Sequence, residues 1–267
     1  MGQNRGIKKL WEGAKKNLTT DEINNKLLLA TDFEKINAWH WAAPRGYSEA
    51  LQNLWEYAKE NLSTDEINNK LLLATDNEEK TVWHWAARRG YTEALQKLWE
   101  FAKENLTTDE INNKLLLATD IEGRTVWHWA TRRRYTEALQ KLWDFAKENL
   151  STDEINNNLL LATDIEGRTV WNWAARRGYT EALQKLWEYA KENLTINEIN
   201  IKLLLATDIE GMTVWHRSAR RGYTEALQKL WDCAKENLTT EKRNNKLFLA
   251  LDNEGKPPGT WQQRGAK

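Results

Sequence analysis

The sequence predicts an all-α repeat solenoid with about three helices in each unit, on three observations. A tryptophan recurs at Trp11, Trp55, Trp99, Trp143, Trp187 and Trp231, each 44 residues from the last. The stretches between these markers keep one length and nearly one sequence, as when a chain repeats a single supersecondary unit. Inside each unit the apolar residues fall at helical spacing rather than in alternation. A unit of this kind buries its apolar side only against its neighbours, so chain length says little about domain number.

Taken in order, residues 1–6 read as a short polar leader, and 7–31 match only the back half of the unit. Five complete copies follow, at 32–75, 76–119, 120–163, 164–207 and 208–251. A sixth starts at Asp252 with Asp-Asn-Glu-Gly-Lys and stops matching at Pro257-Pro258, where adjacent prolines forbid the helix that begins there in the other copies. Residues 252–267 are therefore expected to be a truncated repeat with a frayed tail.

The copy at 76–119 serves for all. Asp76 to Lys80 is a polar turn, with Gly123, Gly167 and Gly211 standing at the Glu79 position in later copies. Thr81 is suited to cap a short helix over Val82–Arg89, and Gly90 to end it in the left-handed conformation. Thr92 is expected to cap a second helix from Glu93 to about Glu104, with Ala94, Leu95, Leu98, Trp99 and Ala102 on one face. Asn105 suits its end through tolerance of the left-handed region. Thr107-Thr108-Asp109-Glu110 reads as a capping box opening a third helix from Thr108 to about Ala118, with Ile111, Leu115 and Ala118 on one side and Leu116 and Leu117 widening it.

Several copies depart from this pattern. Arg134 replaces the helix-ending glycine of Gly90, Gly178 and Gly222, at an expected cost of about 1 kcal/mol if the backbone is unchanged. Gly13 stands where Tyr57 and Phe101 stand, and weakens the first helix. In the last full copy Arg243 replaces the isoleucine of Ile111 and Ile155, and Lys242 replaces the capping-box glutamate.

Composition narrows the function. Lys plus Arg and Asp plus Glu are 39 each, which argues against a wholesale nucleic-acid or membrane binder. No apolar run approaches the roughly 20 residues that cross a bilayer, and Met1 to Gly13 has no signal-peptide core. Gly6 stands where a myristoylation signal wants Ser or Thr. The lone Cys233 excludes an internal disulfide framework and fits a reducing compartment, so an intracellular, cytoplasmic location is expected.

The front of each unit resembles the ankyrin repeat. Asp120-Ile-Glu-Gly-Arg-Thr-Val-Trp-His-Trp-Ala-Thr and Asp164-Ile-Glu-Gly-Arg-Thr-Val-Trp-Asn-Trp-Ala-Ala follow that family's pattern of Asp, Gly, Thr-Pro-Leu-His and paired alanines, and so does Arg88-Arg89-Gly90-Tyr91-Thr92-Glu93-Ala94-Leu95. The family's Pro is Val here (Val82, Val126) and its Leu is Trp (Trp83, Trp127). The unit of 44 residues exceeds the family's 33, and the excess lies after the second helix, in Asn-Leu-Thr-Thr-Asp-Glu-Ile-Asn-Asn-Lys-Leu-Leu-Leu-Ala-Thr. The resemblance implies an ankyrin-like helical repeat solenoid with an added helix per unit. A three-helix solenoid of the armadillo kind is the alternative.

The residues able to carry chemistry divide into three columns. His40, His84, His128 and His216, with Asn172 in the remaining slot, cannot converge on one metal, because packed helices lie about 8–10 Å apart whereas two zinc ligands each lie about 2 Å from the ion. The resemblance implies that this histidine ties neighbouring turns by hydrogen bonds. Of the sixteen tryptophans, Trp99 shares a face with Leu95 and Ala102, and Trp83 stands where the family has a core Leu. Trp41, Trp85, Trp129 and Trp173 stand at the variable position and are expected to be partly exposed, with Arg217 in that slot in the final copy. The third column is Arg88-Arg89, Arg132-Arg133-Arg134, Arg176-Arg177 and Arg220-Arg221, begun by Arg45. The resemblance places these on the concave, partner-binding face, as a ladder suited to acidic side chains or phosphates. The competing reading is a solvated face offset by Asp and Glu.

The recurring Asn-Leu-Thr/Ser triplets, from Asn17 to Asn237, are formal glycosylation sequons, but their position as helix junction and cap explains both residues. The Asp-x-Glu-Gly turn lacks the spacing of a calcium loop, and no nucleophile elbow, phosphate loop or HExxH motif is present. The expectation is a non-enzymatic scaffold, without catalytic residues, cofactor or metal. It would bind an acidic, extended protein partner through Arg45, Trp85, Arg88, Arg89, Trp129, Arg132, Arg133, Trp173, Arg176, Arg177, Arg220 and Arg221. Nucleic-acid or polyanion binding by the same groove, and a structural spacer, are the alternatives. Nothing in the sequence fixes an oligomeric state.

Overall fold

The computed structural model describes residues 2–131 and 135–260, with the side chains of 2–8 and 10 left aside. The chain forms two compact units, Met1–Ile121 and Glu122–Lys267. Among the described residues the architecture is all-α, apart from an isolated antiparallel bridge between Thr75 and Thr81. Each complete copy supplies a short helix, a long helix and a third helical segment, as expected.

The short helix runs Val82–Arg89 in the second copy and ends at Gly90, whose φ of 73° is left-handed. It starts where expected, since Thr81 and His84 close a reciprocal cap: the Thr81 amide donates to His84 Nδ1 at 3.1 Å. The copy carrying Arg134 has a shorter helix, Val126–Ala130, and residues 132–134, the expected site of strain among them, lie outside the described part.

The long helix runs Thr92–Asn105. It starts one residue earlier than expected: Tyr91 occupies the cap position without a side-chain cap, so Thr92 is inside the helix. Asn105 is not left-handed either; Leu106 leaves in an extended conformation at φ −97°. The asparagine ends the helix by another route, its Nδ2 donating to the Phe101 carbonyl at 3.2 Å and satisfying one of the last free acceptors.

The third segment departs most from expectation. Its capping box is present, with the Thr107 amide donating to Glu110 Oε2 at 3.1 Å and the Glu110 amide to Thr107 Oγ1 at 3.3 Å. After one α-turn, Thr108–Glu110, the backbone relaxes into a π-helix over Ile111–Leu116. Ile111, Leu115 and Leu116 are all buried in this π-helical stretch. The same register lets an asparagine reach the next copy: Asn68 Nδ2 donates to the Asn105 carbonyl at 3.2 Å, and Asn156 Nδ2 to that of Asn193 at 2.9 Å. In the last full copy, where Lys242 replaces the capping glutamate, Arg243 Nη1 donates to the Leu238 carbonyl at 2.6 Å.

Two further contacts join successive copies. An aromatic residue of one long helix stacks on the tryptophan of the preceding one: Trp55 on Phe101 at 4.4 Å between centroids, and Trp143 on Tyr189 at 4.1 Å. The polar turns also join edge to edge, with the Ile165 amide donating to the Glu122 carbonyl at 2.9 Å and that of Ile209 to Glu166 at 3.0 Å. The partial copy keeps this turn: the Asn253 amide donates to the Glu210 carbonyl at 3.0 Å. At the other end, the helix spans Gly2–Asn17, so from Gly2 on the segment expected as a polar leader is helical.

Candidate protein-interaction face

The site is built on the polar turn and the short helix that follows it. In the fourth copy Asp164 organises both. Its Oδ1 accepts the amides of Glu166 and Arg168, each at 3.0 Å, and so closes the turn. Its Oδ2 accepts from Trp173 Nε1 and from Arg168 Nε, each at 2.9 Å, and pairs with Arg168 Nη2 at 2.8 Å. Burial works against the Asp164 charge, yet the hydrogen bonds from Arg168 and Trp173 outweigh it and hold the carboxyl below its ordinary range.

The ring of Trp173 is held from two sides. The Arg168 guanidinium lies 4.7 Å from its centroid and that of Arg176 lies 5.9 Å away. The same arrangement stands in the second copy, where Trp85 Nε1 donates to Asp76 Oδ2 at 3.0 Å between Lys80 and Arg88. The expectation that these rings are partly exposed therefore needs correction. Trp129 and Trp173 are buried, at 2% and 6% exposure, while Trp85 is half-buried and Trp41 is 50% exposed. The residue four positions after the aspartate decides which. Arg124 and Arg168 have a planar group that covers an indole face, with Arg124 4.5 Å from the Trp129 centroid. Lys80 offers only a point charge, and Ile36 none. This covering residue was missed in the sequence, although a signal existed: the position is basic in the copies where Trp85, Trp129 and Trp173 follow, and becomes Met212 where Arg217 follows.

The arginines divide by position. Arg88 and Arg176 are half-buried and rest on tryptophan, whereas Arg89 and Arg177 at the next position are exposed. In the first unit Arg45, Trp85 and Arg89 line one cleft of about 500 Å³ with Trp41, and Arg45 stacks on Trp41 at 4.6 Å. In the second unit Arg176, Arg220 and Arg221 line a cleft of about 430 Å³ with Glu210 and Arg217. Arg177 does not line that cleft. Arg132 and Arg133 lie outside the described residues.

The histidines act as ties. In the third copy Thr125 donates its amide to His128 Nδ1 at 3.2 Å, which leaves Nε2 to donate to the Arg168 carbonyl of the next turn at 3.1 Å. His216 does the same toward the Ala250 and Lys256 carbonyls at 3.1 and 3.2 Å. Asn172 keeps the local half, its Oδ1 accepting from the Thr169 amide at 3.1 Å. Among the described residues, no group of three or more His, Cys, Asp and Glu is placed to hold a metal ion.

Residues 39–155 match the family model for ankyrin repeats (3 copies). That stretch is less than half of the chain, and the copies outside it repeat the same unit. No curated protein matches the chain. Ankyrin repeats generally mediate protein–protein interaction and are typically non-enzymatic modules. No described helix is long and apolar enough to cross a membrane.

Proposed function

We propose that the protein is a non-enzymatic adaptor that docks an acidic, extended segment of a protein partner along the arginine-bearing ends of its short helices. The observation that carries this reading is the repeated pairing of a ring-supported arginine with an exposed one, Arg88 with Arg89 and Arg176 with Arg177. A guanidinium already held against an indole loses less freedom on binding a carboxylate than a free side chain does. The tryptophans then serve as supports rather than as contact surface, except Trp41 and Trp85 in the first cleft. The location proposed for this activity is the cytoplasm.

The test is capture of a partner from lysate by the wild-type chain and by a variant with Arg89, Arg177 and Arg221 changed to Glu, after calorimetry shows equal thermal midpoints. A discrete protein held by the wild type and lost by the variant supports the reading. Equal capture by both chains overturns it. Nucleic acid as the captured species, with affinity falling steeply as salt rises, would replace it with a polyanion binder.

A further inference from the structure

The fifth copy differs from the others where it matters for charge. Arg217 stands in the slot that holds Trp41, Trp85, Trp129 and Trp173 elsewhere, and Met212 replaces the covering cation. The Arg217 side chain is 5% exposed. Its Nε donates to Asp208 Oδ2 at 2.7 Å, Nη2 pairs with the same oxygen at 2.5 Å, and Nη2 donates to Glu210 Oε1 at 3.0 Å. Its Nη1 has no partner among the described residues. The cleft above it is lined by Arg176, Arg217, Arg220 and Arg221 against the single carboxylate of Glu210.

Glu210 already plays the part of an anion in this cleft. It accepts from Arg217, and its Oε2 lies 3.6 Å from Arg220 Nη1. Burial disfavours its charge, but the hydrogen bond from Arg217 and the charges of Arg217, Arg220 and Arg176 hold its carboxyl below the ordinary range. It remains 46% exposed on a turn, so it can swing into solvent at little cost. Asp208 and Glu210 answer Arg217, and Glu210 also lies near Arg220. Arg176 and Arg221 donate to no acceptor among the described residues. Burial, Arg168 and Arg217 together disfavour the charge of Arg176, and an incoming anion would relieve that strain.

We propose that this cleft receives a phosphorylated side chain of the protein partner, with Arg217 as its fixed floor and Glu210 as the internal anion it displaces. The proposal rests on the interaction reading above and narrows its partner. A single guanidinium fork satisfies a carboxylate, whereas a cleft lined by four arginines suits a group with three acceptor oxygens and a charge of about −1.5 to −2. Arg217 contributes because Asp208 fixes its plane before any ligand arrives, and Arg220 and Arg221 close from the helix end.

The experiment uses three fluorescein-labelled heptapeptide pools with degenerate flanks and Ser, Glu or phosphoserine at the centre, titrated against the full chain by anisotropy. The phosphoserine pool should bind about tenfold more tightly than the Glu pool, as expected for one further charge-assisted hydrogen bond. Glu210→Gln should tighten phosphoserine binding several-fold by removing the competitor, and Arg176→Gln should weaken it. Both substituted side chains are at the surface or half-buried, and the thermal midpoint checks their folding. Equal binding of the Glu and phosphoserine pools, or a Glu210→Gln variant that binds no more tightly, overturns the proposal. If that equal binding also disappears in an Arg176→Gln, Arg220→Gln, Arg221→Gln variant, the interaction reading survives without phosphate. Binding of no pool overturns the phosphate site alone, since the capture experiment tests the reading with an intact partner. Tighter binding to phosphatidylcholine vesicles doped with a phosphoinositide would overturn the protein source of the phosphate.

Discussion

Tyr223 packs against Gly178 so closely that a β-carbon on the glycine would lie 2.5 Å from the ring. Tyr91 meets Gly46 in the same way, at 2.6 Å. The glycine thus serves two ends: it takes the left-handed conformation that stops the short helix, and it leaves room for the tyrosine of the next copy. Gly222 has only the first role, with nothing within 4 Å of its added carbon. Gly222→Ala should therefore cost about 1–2 kcal/mol from the left-handed backbone alone. Gly178→Ala should cost that and a further 1–3 kcal/mol, roughly, for displacing Tyr223. Urea denaturation of the two variants measures the difference, and equal losses would show that the tyrosine yields freely.

Arg168→Met removes the main partner of a buried carboxylate. Breaking such a pair from one side costs about 3–5 kcal/mol, and the loss should exceed that of Trp173→Phe, which removes one donor to the same carboxylate, worth about 1.5–3 kcal/mol. The pH dependence has a definite sign. The folded pKa of Asp164 lies below its ordinary 3.8. Its contribution is complete above that value and is lost as the pH falls through the folded value. Denaturation at neutral pH and in acid should show a smaller acid loss in Arg168→Met than in the wild type.

Burial lowers the pKa of both His40 and His216, against the opposing pull of Asp76 on the first and of the Lys256 carbonyl on the second. Both are neutral in the fold. Their contribution to stability is complete above the ordinary value of 6.5 and declines as pH falls below it, by about 1.4 kcal/mol for each unit of lowering. Urea midpoints should drop between about pH 7 and about pH 5. Replacing both residues by Asn, which the fold already accepts at Asn172, should flatten that drop while lowering stability at neutral pH.

Burial pushes the Cys233 thiol up to about 12, despite the opposing charge of Lys229. The native protein should fail to react with an aromatic disulfide reagent at neutral pH and should yield its thiol only in denaturant. Rapid labelling of the folded chain would show that this part of the fifth copy opens readily.

The repeat, its turn and two of its caps were legible because each is written in local spacing: Gly90 and the Thr107–Glu110 box behave as their sequence says. The π-helix was not legible, since Ile111, Leu115 and Leu116 fit an α-helical stripe nearly as well, and only packing against neighbours selects the wider turn. Asn105 misled for a related reason. Asparagine tolerates the left-handed region, but its side chain can also bond back to its own helix, and the sequence does not distinguish the two. At the candidate site the burial of Trp129 and Trp173 depended on residues five positions earlier in the turn.

The paired indoles have an optical consequence. Trp39 with Trp55, Trp83 with Trp99, Trp127 with Trp143 and Trp215 with Trp231 meet edge to face, with centroids 6.0, 5.8, 5.7 and 6.3 Å apart. Transition dipoles held at one near-perpendicular angle couple, and copies of the same pair add their rotational strength rather than cancelling. The resulting exciton bands overlap the amide signal in the far ultraviolet. Circular dichroism of this protein would therefore misstate its helix content, and infrared amide absorption is the sounder measure. The couplet itself becomes a reporter, fading copy by copy as the array comes apart.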